Sequence, residues 1–197
     1  MKNFVSITFL TFGLLLNGIA QSFDNQGYDK IGKFENQRAR VKLNGLWGVI
    51  DRDGREIIAP KYERIGVFKN DRARVMVNKH WGIVDWNGKE ITPPVYEKLG
   101  YFKDERAKVL MDGKWGIIDW NGQEIVPAKY ETIEDFREGR ALVKADGFWG
   151  IIDTSGKVIV LPKYDKIKNF DNDRAKVSLN GRWGIIDKQG QEIVSVN

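Results

Sequence analysis

Residues that could act as nucleophile and base are few in this chain, which has one histidine and no cysteine. A nucleophile-and-base site needs a serine or cysteine beside a histidine. His80 precedes Trp81, at a position that recurs along the chain as leucine, lysine, phenylalanine or arginine. Because this position accepts such different residue types, we interpret His80 as a surface residue and predict no catalytic site around it.

Paired carboxylates could serve glycoside hydrolysis or hold calcium. Asp51, Asp53 and Glu56 loosely resemble a calcium loop, but that loop needs at least about five oxygen ligands and a glutamate at its twelfth position. Asp51 also recurs at a fixed spacing, and a repeated residue is a poor candidate for a unique acid or base. We therefore predict no catalytic residue, no metal site and no cofactor.

Two tryptophans are the strongest candidates for contact with a ligand. Trp86 and Trp120 each follow a regularly spaced aspartate, at a turn position that needs no aromatic ring. We expect both rings to face solvent and to lie side by side as an aromatic strip for a sugar ring or a peptide, with Tyr101 as a neighbour. The competing interpretation is that the rings cover each other or the adjacent turn, and both interpretations stay open.

A Trp-Gly pair recurs along the chain with a constant spacing of 34 residues. A fixed period of this size indicates a repeat architecture. The repeat anchors are Trp47, Trp81, Trp115, Trp149 and Trp183, the glycines Gly48, Gly82, Gly116, Gly150 and Gly184, and the tyrosines Tyr28, Tyr62, Tyr96, Tyr130 and Tyr164. After a lead-in at 21–27, the five units run 28–61, 62–95, 96–129, 130–163 and 164–197.

Each unit has the pattern of a β-hairpin followed by a third short strand. In the first unit, residues 38–43 and 46–51 alternate in polarity on either side of Asn44-Gly45, which favours a type I′ turn. Residues 56–58 then form a short strand, which we expect the following proline to end. Tetratricopeptide helices share the 34-residue period, but the strand-like alternation excludes them.

The two-residue turn fixes the register of the hairpin. Val41 then faces Gly48 on a buried face, and Arg38 faces Asp51 on the other face, where we expect an ion pair in every unit. We also predict that an aromatic ring packs against the backbone of the glycine after each tryptophan, which would leave no room for a side chain. The turn at 78–79 has lysine in place of glycine, and we expect a strained or looser conformation there.

The order of Tyr, Phe, Arg-Ala, hairpin turn, Trp-Gly-Ile-Ile-Asp and a closing Gly resembles the WG (also called KWG) repeat family of bacterial proteins. The resemblance covers residues 28–197, and unit one departs slightly with the segment 46–50, Leu-Trp-Gly-Val-Ile. It implies an all-β repeat array in bacteria, often with an export signal and usually without an assigned activity. It brings no catalytic residue, so it is informative about architecture rather than function.

The first twenty residues differ in composition from the rest of the chain. Lys2 is their only charged residue and residues 4–16 are almost wholly apolar, which is typical of a signal peptide covering residues 1–20 and cleaved after Ala20. A retained anchor is the competing interpretation, but the run is shorter than the roughly 20 apolar residues that span a bilayer. We expect export to the periplasm or the cell exterior, with no membrane span after cleavage.

The remaining chain carries 31 basic and 27 acidic residues, interspersed along its length. This distribution argues against a nucleic-acid partner. With no disulfides possible, stability must come from packing between units.

We predict an all-β fold of tandem 34-residue β-hairpin repeats stacked as a curved β solenoid. The alternative is a five-bladed, propeller-like closed array, which we disfavour because usual blades take about 40 to 45 residues. We expect a non-catalytic scaffold that binds a protein or glycan of the cell envelope. A carbohydrate-binding module that uses Trp86 and Trp120 is the alternative function, and an envelope hydrolase is a weaker one.

Overall fold

The computed structural model describes residues 27–196, which contain twenty β-strands arranged as five antiparallel sheets of four strands. The predicted signal peptide lies outside the described residues. Within this range there is no helix that could cross a bilayer. The prediction of an all-β array of tandem repeats is confirmed, whereas the curved solenoid and the closed five-bladed array both stay predictions about overall shape.

In every sheet the strands follow one another in chain order as a meander. The first sheet contains β1 (Lys30–Ile31), β2 (Arg38–Leu43), β3 (Leu46–Asp51) and β4 (Glu56–Tyr62), and the second contains β5 (Arg64–Ile65), β6 (Arg72–Val77), β7 (His80–Asp85) and β8 (Glu90–Tyr96). The third contains β9 (Lys98–Leu99), β10 (Arg106–Met111), β11 (Lys114–Asp119) and β12 (Glu124–Tyr130). The fourth contains β13 (Thr132–Ile133), β14 (Arg140–Ala145), β15 (Phe148–Asp153) and β16 (Val158–Tyr164), and the fifth β17 (Lys166–Ile167), β18 (Arg174–Leu179), β19 (Arg182–Asp187) and β20 (Glu192–Val194).

The central hairpin of each sheet has the predicted register. In the first sheet Val41 faces Gly48 and Arg38 faces Asp51, and the same pairs recur in the other four sheets. Asn44 and Gly45 have φ angles of 50° and 81°, so both residues adopt the left-handed conformation that a type I′ turn requires. The turn chemistry read from the sequence is therefore confirmed.

The turn at Asn78-Lys79 keeps the same shape as its counterparts, with φ angles of 49° and 64°. A side chain with a Cβ atom in the left-handed region costs roughly 1–2 kcal/mol, a cost that glycine does not have. The carboxylate of Glu63 accepts a hydrogen bond of 2.7 Å from the Asn78 amide, which helps to hold the turn in place. The expected strain is thus located at Lys79.

We expect Lys79→Gly to raise the free energy of unfolding by about 1 kcal/mol, because glycine adopts positive φ without steric cost. The matched control is the reverse change at the equivalent position of unit one, Gly45→Lys, which should lower it by a similar amount. Urea denaturation of both variants measures the two effects. An unchanged midpoint for Lys79→Gly would show that the turn is not strained.

A second left-handed turn in each unit was not predicted. It connects the short first strand to the hairpin, and in unit one it is formed by Asn36 and Gln37, with φ angles of 48° and 67°. The adjoining residues Glu35 and Arg38 form an isolated bridge across it. Only unit four of the described repeats has a glycine in this turn, at Gly139. The usual Asn-Gly signal is therefore missing, and the turn could not be predicted from it.

In units one to four the third long strand continues past its proline, which corrects the prediction. β4 continues through Pro60 to Tyr62, and the pairing of Trp47 with Tyr62 and of Val49 with Ile58 leaves three residues of β4 opposite Gly48. This arrangement is a bulge. Proline is accepted there because residues in a bulge need not donate to the ladder.

The bulge also explains the glycine after each tryptophan, and the explanation differs from the predicted one. A Cβ atom on Gly48 would lie 2.5 Å from the Ile58 carbonyl oxygen and 2.8 Å from the Pro60 nitrogen. The atoms that exclude a side chain therefore belong to the backbone of β4, not to an aromatic ring. At Gly82, Gly116 and Gly150 the nearest atoms are likewise backbone atoms of the neighbouring strand, and at Gly184 a valine side chain contributes as well.

The hydrophobic core lies between consecutive sheets. One cluster joins Val49, Ile58 and Tyr62 of the first sheet to Ile65 and Val75 of the second, and equivalent clusters join the later sheets. In the three middle sheets both faces of the hairpin are thus covered, one by the preceding sheet and one by the following sheet. This packing is the stacking that we predicted, since a single hairpin cannot bury two apolar faces.

Four of the five tyrosine anchors are buried, and Tyr96 is half-buried. Four of the five tryptophan anchors are half-buried, and Trp183 is exposed. Tyr62 is fully buried, and its hydroxyl donates a hydrogen bond of 2.7 Å to the Glu90 carboxylate. A hydrogen bond from Lys61, together with the one from Tyr62, holds the pKa of Glu90 below its usual value. In unit one, burial together with the hydrogen bond to Glu56 raises the pKa of Tyr28 to about 12.

Candidate functional site

In three of the five hairpins the repeated arginine donates a hydrogen bond to the next unit. Arg38 donates a hydrogen bond to the Trp86 carbonyl of the following unit. Arg106 and Arg140 make the equivalent bonds to the carbonyls of Thr154 and Lys188. The expected ion pair between Arg38 and Asp51 is therefore wrong: the two residues are opposite in register, but the ion pairs in residues 27–196 join other side chains.

The repeated aspartate instead shapes its own turn. One carboxylate oxygen of Asp51 accepts hydrogen bonds of 2.9 Å from the backbone amides of Asp53 and Arg55, and the other four units repeat this pattern. In unit four a further bond from the Ser155 hydroxyl contributes most to a lowered pKa of Asp153. These carboxylates therefore have a structural role in the turn.

The described residues contain no group of three or more histidine, cysteine, aspartate or glutamate side chains placed to share a metal ion. His80 is exposed at the hairpin turn, where its Nδ1 atom lies 2.9 Å from the carbonyl of Asn78. This position agrees with a surface role for the histidine.

Trp86 and Trp120 were expected to face solvent, but both side chains are half-buried. Each ring is held between an arginine of the preceding unit and a phenylalanine of its own unit. The Arg38 guanidinium lies 4.3 Å from the centre of the Trp86 ring, and Phe68 contacts that ring edge-on at 5.2 Å. The corresponding partners of Trp120 are Arg72 at 4.8 Å and Phe102 at 4.7 Å.

The two tryptophans line neighbouring clefts and do not form one strip. Four inter-unit clefts occur at equivalent positions, each between the first half of one unit and the start of the next. The first (Arg38, Phe68, Trp86) has a volume of about 40 Å³, the second (Arg72, Phe102, Trp120) about 330 Å³, the third (Arg106, Phe136, Thr154) about 480 Å³ and the fourth (Arg140, Phe170) about 220 Å³.

Tyr101 is the most exposed of the three aromatic candidates, with 71% of its surface accessible. It lines the second cleft together with Trp120, and it also borders the third. The Arg74 guanidinium lies 3.6 Å from the centre of the Tyr101 ring, and Arg74 also donates a hydrogen bond of 2.7 Å to the Leu99 carbonyl. Tyr101 and Trp120 are thus brought to one site, whereas Trp86 belongs to another.

The second cleft differs from the others in charge. Lys69, Arg72 and Arg74 line it, and no acidic residue is among its lining residues. The first cleft includes Glu35, and the third and fourth share Glu134, Asp135 and Glu138, with Asp104 added in the third. The grouping of these three cations was not predicted from the sequence.

A signal for the basic cleft is present in the repeat alignment. Unit two has Gly66-Val67 where unit four has Glu134-Asp135, and it has Asn70 where unit four has Glu138. Comparing charges column by column would have shown that unit two lacks these acids. The cleft itself could not have been found in that way, because it forms only where two units meet.

Comparison with known proteins connects this chain to one family. The family described as "WG containing repeat" matches residues 27–47, 47–79, 81–115, 115–147 and 149–183. No curated protein matches the chain.

Several solved structures resemble the fold at low sequence identity. They include Hsv2 of Kluyveromyces lactis, with 14% identity, a TM-score of 0.37 and coverage of 80% of this chain and 58% of that one. The C-terminal WD40 domain of Sif2 has 11% identity, a TM-score of 0.34 and coverage of 80% of this chain and 54% of that one. A Bacteroides caccae protein of unknown function has 14% identity, a TM-score of 0.27 and coverage of 83% and 79%. The chain spans less than two thirds of the length of Hsv2. Structural similarity at these TM-scores carries no information about the ligands of this chain.

Proposed function

Because the chain belongs to the WG containing repeat family, we propose that it is an exported, non-catalytic scaffold whose ligands, proteins or glycans of the cell envelope, occupy the clefts between its units. One observation carries this proposal: the clefts recur at equivalent positions, but the residues that line them differ from unit to unit. A constant framework with variable linings is suited to binding. Loops and linings on a rigid scaffold are where binding residues are usually found.

The repeated polar residues support a non-catalytic role. The repeated aspartates accept hydrogen bonds from turn amides, and three of the repeated arginines donate to carbonyls of the next unit. Catalytic groups need mutual geometry, such as a nucleophile within hydrogen-bond reach of a base. No such arrangement involving His80 is found in the described residues, so nothing favours the envelope hydrolase.

Export is supported by the composition of residues 1–20, which has the charge and apolar run of a signal peptide. The absence of cysteine means that the chain needs no disulfide chemistry to fold after export. We place the mature protein in the periplasm or outside the cell.

We expect the mature chain, residues 21–197, to co-sediment with a cell-envelope fraction, and Val67→Glu to reduce this retention about tenfold. Val67 is 57% exposed and lines both the first and second clefts, and an unpaired charge in a binding site disfavours the original ligand. The matched control is Leu161→Glu, since Leu161 is 71% exposed and lies outside the four clefts.

Sedimentation of purified protein with the washed envelope fraction measures both variants. Retention of the parent chain and of Leu161→Glu, with loss for Val67→Glu, supports the proposal. A parent chain that stays in the supernatant would contradict it, and equal retention of all three proteins would place the ligand outside the first two clefts.

Carbohydrate binding is the second candidate function. The favouring observation is that exposed Tyr101 and half-buried Trp120 line one cleft of about 330 Å³, which lies within the usual size range of small-molecule sites. Trp86 lines the smaller first cleft, so it would contribute to a separate site. Flat aromatic faces beside polar groups are suited to sugar rings, whose carbon-hydrogen faces are apolar.

A further inference from the structure

We propose that the second inter-unit cleft binds a carboxylate-bearing sugar ring, such as a hexuronate unit of an acidic polysaccharide, with Tyr101 against the ring and Arg72 facing the carboxylate. This inference rests on the proposed binding function and deepens its carbohydrate candidate. Three features of the described residues carry it: an uncommitted arginine, the charge of the lining and the exposed aromatic ring.

Arg72 is the exception among the arginines that connect consecutive units. Arg38, Arg106 and Arg140 donate to a backbone carbonyl of the following unit, but within residues 27–196 the buried Nη1 atom of Arg72 has no hydrogen-bond partner. Arg72 is held instead by the Trp120 ring, 4.8 Å from its guanidinium. An unpaired donor of a charged group in a buried place is costly, and an anionic oxygen that enters beside Arg72 removes that cost.

The charge of the lining points to an anion. Lys69, Arg72 and Arg74 contribute three positive charges, and the lining includes no carboxylate to neutralise them. Guanidinium groups pair well with carboxylates because their donors match the two oxygens of the anion. The third and fourth clefts have the same framework but include three acidic residues each from unit four, so we expect this preference to be specific to the second cleft.

The aromatic residues indicate a ring-shaped ligand. Tyr101 is 71% exposed while Arg74 lies against its ring at 3.6 Å, so the tyrosine is held in position and still presents a large apolar surface. Trp120 and Phe102 complete an aromatic wall in the same cleft. A ring that combines an apolar face with one carboxylate satisfies both the aromatic and the basic part of this site.

A compact sugar fits this cleft better than an acidic peptide does. Extended peptides gain most of their affinity from backbone hydrogen bonds along a sheet edge or a long groove. The second cleft has a volume of about 330 Å³, near the lower end of the range for small-molecule sites. We therefore commit to the saccharide and treat binding of an acidic peptide as an outcome of the test.

The test is calorimetric titration of the mature chain with tetragalacturonate, with the neutral galactose tetramer and with tetraglutamate. We expect tetragalacturonate to bind at least about tenfold more tightly than either of the others, since a charge-assisted hydrogen bond is worth roughly a factor of ten or more. Arg72→Gln should weaken its binding about tenfold. The matched control is Arg174→Gln, which changes the equivalent arginine of unit five. Arg174 lines none of the four clefts, so the affinity should stay unchanged.

Two exposed positions provide variants that do not depend on a buried arginine. Tyr101→Ala should weaken binding about tenfold through loss of the ring contact, and Lys69→Gln about threefold through loss of one charge. Thermal denaturation of each variant shows whether it is folded. Raising the salt concentration should weaken the binding of tetragalacturonate, because the attraction is between charges.

The outcomes separate this inference from the proposed function. No binding of tetragalacturonate, binding that is unaffected by both Arg72→Gln and Tyr101→Ala, or equally tight binding of tetraglutamate would each overturn the inference. If the parent chain still co-sediments with envelope material in those cases, the scaffold function stands with another ligand. If it neither sediments nor binds any probe, both proposals are wrong.

Discussion

Gly116→Ala is expected to lower the free energy of unfolding by about 3 kcal/mol, the upper range for overpacking in a well-packed interior. The added Cβ atom would lie 2.7 Å from the Val126 carbonyl oxygen and 2.9 Å from the Ala128 nitrogen. Both are backbone atoms of the bulge in β12, so they cannot rotate away as a side chain would. The clash must instead be relieved by separating two paired strands.

Gly100→Ala in the same unit is the matched control. A Cβ atom there would lie 3.4 Å from its nearest neighbour, the Lys108 carbonyl oxygen, which is ordinary contact. We expect its free energy of unfolding to stay within about 0.5 kcal/mol of the parent value. Urea denaturation of the two variants provides the comparison, and similar midpoints would show that the bulge does not require glycine.

Tyr62→Ala is expected to lower the free energy of unfolding by about 4 kcal/mol, the usual cost of removing a large buried aromatic side chain. Tyr62 has no accessible surface and belongs to the cluster that joins the first two units. Its loss opens a cavity between sheets and removes the hydrogen bond to Glu90. The effect should be large because the core of this protein lies between units.

Two further variants are compared with Tyr62→Ala: one removes only the hydroxyl of Tyr62, and the other removes an exposed tyrosine. Tyr62→Phe keeps the ring and removes only the hydroxyl, so we expect a cost of about 1 to 2 kcal/mol. Tyr101→Ala removes a tyrosine that is 71% exposed and should change the free energy of unfolding by less than about 0.5 kcal/mol. Equal stability of Tyr62→Ala and Tyr101→Ala in calorimetric melting would contradict the assignment of Tyr62 to the inter-unit core.

The repeat separates stability from recognition along each unit. Tyr62, the glycine after each tryptophan and the aspartate of the turn are repeated because each has a fixed structural task. The arginine and the phenylalanine that line each cleft are repeated too, but other lining residues, such as Tyr101 in the second cleft and Asp135 at the equivalent position in the third, differ between units. Variation between units is therefore expected at the clefts, and the basic lining of the second cleft is one instance.

Much of the hairpin could be predicted from residue types alone. Asn44-Gly45 favours only one common two-residue turn, and that turn fixes which residues of 38–43 and 46–51 face each other. The two-residue first strand and the turn at 36–37 were missed. A strand of two residues is too short to show alternation of apolar and polar residues. The turn residues Asn36 and Gln37 include no glycine, so the usual marker of a left-handed turn is absent.

The candidate site was only partly accessible from the sequence. Trp86, Trp120 and Tyr101 stood out because they depart from the repeat, and two of them do share a cleft. Their exposure was predicted wrongly for the tryptophans, since the arginines that cover them come from the preceding unit. Arg38 was expected to pair with Asp51 across the hairpin, because the sequence pattern shows partners within a unit more clearly than partners between units.

The sequence by itself determined the period, the strand pairs of each hairpin and the family, because these depend on neighbours close along the chain. Only the tertiary structure shows why glycine follows each tryptophan, which atoms accept hydrogen bonds from the repeated arginines, and which cleft has no acidic lining residue. Those features arise from contacts across the bulge of β4 and between consecutive sheets. Such contacts depend on the distance between backbones in space, which spacing along the chain does not specify.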